Sequence, residues 1–73
     1  MLYEVNYYPL GCAPADAAIT KQVNAPDLAD LVRYVVSDRY WGFIADPSMP
    51  VTIGRDGRVL AWVDLSTGGV TYA

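Results

Sequence analysis

The 73-residue sequence predicts an α+β two-layer sandwich, in which a single helix packs on a mostly antiparallel sheet of about four strands in ββαββ order. Three observations carry that expectation. Leu28, Leu31, Val32, Val35 and Val36 follow the i, i+3, i+4, i+7, i+8 spacing of one apolar helix stripe. Asp56-Gly57, set between two runs of strand-favouring residues, is a hairpin-turn signature. Tyr3, Val5 and Tyr7 alternate with Glu4 and Asn6, which is the period of a half-buried strand.

The elements follow in chain order. Met1 to Tyr8 reads as the first strand, and Pro9 ends it. Two prolines and a glycine make Pro9-Leu10-Gly11-Cys12-Ala13-Pro14 a loop. Residues 15–23 are open to two readings, a short helix from Ala15 or a second strand over Ile19-Thr20-Lys21-Gln22-Val23. The strand is favoured because it returns beside the first, with Lys21 expected opposite Glu4. The helix is expected from about Pro26 to Ser37, capped by Asn24, with Pro26 in its first turn and Asp27 and Asp30 near its positive end. Asp30 and Arg33 form a weak surface pair three positions apart. Asp38 to Pro50 is a long connection, Pro50 to Arg55 a strand, and Arg58 to Leu65 the returning strand. Val70 to Ala73 forms either a short edge strand or a tail. No linker divides the chain, so residues 1–73 read as one small domain.

Composition excludes several classes. At 53% hydrophobic and 12% aromatic the chain has too much apolar material to remain disordered. No apolar run approaches the roughly 20 residues of a spanning helix, and Met1-Leu2-Tyr3-Glu4 carries no basic segment of an export signal. Cys12 is the one cysteine, so the chain has no internal disulfide, which fits a reducing cytoplasm. With no histidine, zinc ligation and triad chemistry lack their usual groups, and no cofactor is expected. Glu4 is the one glutamate, and the aspartates fall at turns and helix starts rather than in pairs. The expectation is a protein that is not an enzyme. A small domain without staples turns to oligomerisation for support.

Two features are candidates for function. In the returning strand Val59, Ala61, Val63 and Leu65 alternate with Leu60 and Trp62, so both of its faces read as apolar while one helix covers only one. The Tyr40-Trp41-Gly42-Phe43-Ile44 segment concentrates aromatic side chains around a glycine, as interface hot spots do, although the same rings equally plug the end of a small core. Leu60, Trp62, Trp41 and Phe43 are therefore the expected protein-binding residues. The expected partners are a second copy of the chain, as homodimer or higher, and a host protein. Ala, Gly, Pro and Arg make up about a third of the chain, a bias of GC-rich genomes, which suggests a small accessory protein of an actinobacterium, a phage or a mobile element. A net charge of −3 disfavours nucleic acid, whose one candidate contact is the hairpin flanked by Arg55 and Arg58.

Overall fold

A computed structural model describes residues 1–10, 18–37 and 44–73 of the chain. The elements are β1 (Leu2–Tyr7), β2 (Ile19–Asn24), α1 (Leu28–Ser37), β3 (Val51–Arg55), β4 (Arg58–Val63) and β5 (Val70–Tyr72). They form one five-stranded sheet in the order β2-β1-β3-β4-β5, with every neighbouring pair antiparallel. The α+β class is as the sequence predicts. The sheet has five strands rather than four, because the last segment pairs along β4, Ala61 with Tyr72 and Val63 with Val70. Ala73 N–H closes that pairing on the Leu60 carbonyl at 3.0 Å. None of the helices among the described residues is long and apolar enough to cross a membrane.

β1 and β2 pair without interruption from Leu2↔Asn24 to Tyr7↔Ile19, which settles residues 19–24 as strand. Lys21 is registered with Val5, not with Glu4, whose neighbour is Gln22. Lys21 therefore lies on the helix side of the sheet, because the even spacing of strand side chains puts it with Tyr3, Val5 and Tyr7.

α1 begins two residues later than expected. Asp27, not Asn24, is its cap: Asp27 Oδ1 accepts the Asp30 N–H at 2.8 Å, the bond that satisfies an N-terminal amide left open by the helix. Pro26 lies outside the first turn. Asn24 has another task, accepting the Met1 amino group through Oδ1 at 3.1 Å. The Arg33–Asp30 pair forms at 3.2 Å on the exposed side of the helix.

The core lies between α1 and one face of the sheet. Leu31, Ile53, Val5, Val35, Val51 and Val63 are its largest fully buried side chains, each worth about 1.5–3 kcal/mol over exposure. Val32 joins them, Leu28 is partly buried against them, and Val36, counted in the stripe by spacing, is exposed. The end of the connection is anchored too. Ala45 is fully buried, and its flanks pair with the continuation of β1, through Leu10 N–H to Ile44 O at 2.8 Å and Asp46 N–H to Tyr8 O at 2.7 Å.

The β3–β4 hairpin turns on Asp56 and Gly57, with φ of 54° and 76°. Positive φ at both central positions is the turn whose twist matches the flanking strands, and Asp-Gly is the pair that tolerates it. Above the turn the register shifts between Ile53 and Gly54, so that Ile53 faces Ala61 while Gly54 faces Val59, and Leu60 is the extra residue of a bulge.

Candidate functional site

The bulge decides which β4 side chains reach each face. Ala61 and Val63 point into the core, so Trp62 points to the opposite, helix-free face. Uninterrupted alternation would send Leu60 with Trp62 and Val59 with Ala61. The bulge exchanges them: Leu60 is partly buried against the core, and Val59, registered with Gly54, is 42% exposed. The expected face assignment of Val59 and Leu60 is thus corrected. Gly54 makes the exchange possible, since a Cβ there would lie 2.8 Å from the Arg58 carbonyl oxygen.

The helix-free face is not apolar throughout, as β4 alone suggested. Its registered residues include Glu4, Asn6, Thr20, Gln22, Thr52 and Thr71, and Thr20 Oγ1 donates to Asn6 Oδ1 at 2.5 Å across β1 and β2. Trp62 lies 39% exposed on it between Thr52 and Thr71. β5 does not cover this face, because it extends the sheet instead.

Trp62 borders a cleft of about 440 Å³. Pro47, Met49 and Pro50 form one wall, and Asp64, Thr67 and Gly69 another. Both walls are built on the same local device. Asp46 Oδ1 accepts the Ser48 N–H at 2.9 Å and the Ser48 hydroxyl at 2.7 Å. Asp64 Oδ1 accepts the Ser66 N–H at 2.9 Å and the Ser66 hydroxyl at 2.6 Å. An aspartate bonding the backbone two residues on is a turn mimic. The second turn closes with Asp64 N–H to Gly69 O and Gly68 N–H to Asp64 O, both 2.8 Å, with Gly68 at φ 76°. The Ser48 hydroxyl, then its N–H, holds the Asp46 carboxyl below the usual aspartate range, and the Ser66 hydroxyl and N–H do the same to Asp64. Both carboxylates are occupied in shaping the cleft. What the cleft offers a visitor is a tryptophan face, two prolines, a methionine and hydroxyl groups.

The remaining candidates are dispersed. Trp41 and Phe43 lie outside the described residues, as does Cys12. Arg55 and Arg58 face each other across the hairpin. Arg55 Nη1 rests 3.3 Å from Met1 Sδ, and its Nε is 3.8 Å from the Asp56 carboxylate. Among the described residues no three acidic, cysteine or histidine side chains converge as a metal-ligand set. Sequence reasoning missed Val59 as a surface residue, and the signal for it was Gly54, a glycine inside a strand. It also missed a second cleft of about 370 Å³ beside β2, lined by Val23, Ala25, Pro26, Asp30, Leu31 and Tyr34.

No family model matches the chain, and comparison with curated proteins and with solved structures found no match either.

Proposed function

We propose that this protein is a non-enzymatic interaction module that grips a protein partner on its helix-free sheet face, at the cleft bordered by Trp62. The observation that carries the reading is the placement of Trp62. A tryptophan 39% exposed beside a cleft of about 440 Å³, on a face that no element among the described residues covers, offers large contact area at small entropic cost. Val59 extends the apolar patch in the position the sequence assigned to Leu60, and Thr52 and Thr71 supply a polar rim. The composition fits a small accessory protein of a phage or mobile element from a GC-rich host, with a host protein as partner and self-association as a second mode of binding. A cytoplasmic setting accords with the single cysteine.

The test is capture of the partner followed by titration with purified components. Trp62→Asp is expected to weaken binding by roughly 30-fold or more, the size of a hot-spot loss of about 2 kcal/mol. Unfolding in urea is expected to shift by only about 1 kcal/mol, the loss of cross-strand contact with Thr52 and Thr71, because the side chain lies outside the core. Unchanged affinity with an intact fold would sink the reading.

The alternative is a nucleic-acid modulator that uses the hairpin tip, and the register that sets Arg55 opposite Arg58 at the base of the turn favours it. It requires gel-shift binding at low salt that weakens steeply as salt rises and with Arg55→Ala plus Arg58→Ala.

A further inference from the structure

The two edges of the sheet are unequal. β5 is short, three residues from Val70 to Tyr72. β2 runs six residues, Ile19–Asn24, contains no proline, and pairs with β1 without a bulge. No strand among the described residues pairs with its outer side. Proteins blunt such an edge with prolines, bulges or several charges, and β2 has Lys21 alone. On the helix side the same edge adjoins the second cleft, with Val23, Ala25, Pro26, Leu31 and Tyr34 along it and Ile19, 45% exposed, farther along the strand.

We infer that β2 is the self-association edge, where a second copy of the chain adds antiparallel to form a two-fold, continuous ten-stranded sheet. This gives the self-association named above a location of its own, independent of the Trp62 face.

Two features select a second copy and one register. An antiparallel pairing that keeps both helices on one side of the joined sheet must match residues of like facing. Centring on Lys21 sets two ammonium groups opposite each other, which is unfavourable. Centring on Gln22 avoids this and pairs Thr20 with Asn24, Lys21 with Val23, and Gln22 with its own copy. That register also matches charge. Val23 and Asp30 line the same cleft, so Lys21 of one copy, opposite the partner's Val23, stands beside the partner's Asp30 and the acidic start of its α1. The two-fold axis repeats the contact. Thr20, Gln22 and Asn24 form a polar ladder on the other face, and Val23 and Tyr34 of both copies shield the helix side.

Sedimentation of the whole chain at micromolar concentration tests the inference, and a dimer is the expected result. Gln22→Lys places like charges on the axis and is expected to weaken dimerisation by up to about fivefold, while Trp62→Asp leaves the dimer intact. In a Cys12→Ser background, Gln22→Cys is expected to form an interchain disulfide on mild oxidation. Thr20→Cys is not, because its two copies then stand roughly 13 Å apart along the strands. A monomer at every concentration overturns the inference, as does equal cross-linking at both positions. A dimer dissolved by Trp62→Asp but not by Gln22→Lys also overturns it and moves self-association to the Trp62 face. Loss of heterologous binding in Trp62→Asp with the dimer retained separates this surface from the partner site.

Discussion

At Gly54 the space a side chain needs is already taken. The nearest atom to a Cβ built there is a backbone oxygen, that of Arg58 at 2.8 Å, so relief requires a shift of β4 itself. Gly54→Ala is expected to cost about 1–3 kcal/mol in urea unfolding, and to change the exposure of Val59 and Leu60 because it disturbs the bulge that sorts them. Asp46 and Asp64 govern a different property. Their carboxyls are lowered from 3.8 in the folded protein by Ser48 and Ser66, so the folded state favours the ionised form. The stability this supplies is present above the ordinary aspartate pKa and is lost as pH falls through the lower, native values. Asp46→Asn with Asp64→Asn is therefore expected to flatten the decline in stability below about pH 4, measured as urea midpoints across an acid series. Residue-scale features differ in how far the sequence discloses them. Asp56-Gly57 was legible because its requirement, positive φ at two adjacent positions, is local. Gly54 was not, because its requirement comes from the strand across from it.

The elements repeat this division. The apolar stripe of α1 was readable from spacing, since Leu31, Val32 and Val35 are separated by the helical repeat and are all buried. The cap was misplaced: an asparagine, a proline and an aspartate lie within four positions, and only the folded path shows that Asn24 is occupied by Met1. Asp27→Ala is expected to destabilise by about 1 kcal/mol, seen as a lower thermal midpoint, with Asn24→Ala leaving helix content unchanged. β4 shows why the second sheet face was read as more apolar than it is. The alternation rule assumes an uninterrupted ladder, and one extra residue inverts every assignment before it. Trp62, beyond the bulge, kept its place, and Val59 and Leu60 exchanged theirs.

For the whole molecule, the arrangement explains the 53% apolar composition differently from the strand-by-strand reading. The helix side takes up the core together with Val23, Ala25, Leu28, Ile44, Leu60, Leu65 and Val70 packed around it. Among the described residues the helix-free face is left mostly polar around Trp62 and Val59. Fold class and hairpin were legible because they follow from periodicity and turn chemistry. The strand order was not, since it depends on which long-range pairing joins the two halves. If β2 joins two copies, thermal stability should also rise with protein concentration, because association draws on the folded state alone.

That long-range pairing has a kinetic consequence. β1–β2 is one antiparallel pair and β3–β4–β5 a meander, and each can form by closing loops within its own stretch of chain. The halves meet along β1 and β3, where Glu4, Val5 and Asn6 register with Gly54, Ile53 and Thr52. Closing a loop of that length must precede any reward from its contacts. The seam through Val5 and Ile53 is thus where the folding barrier should lie, with truncation of either side chain slowing folding, and truncations at Tyr72 or Ile19 chiefly hastening unfolding.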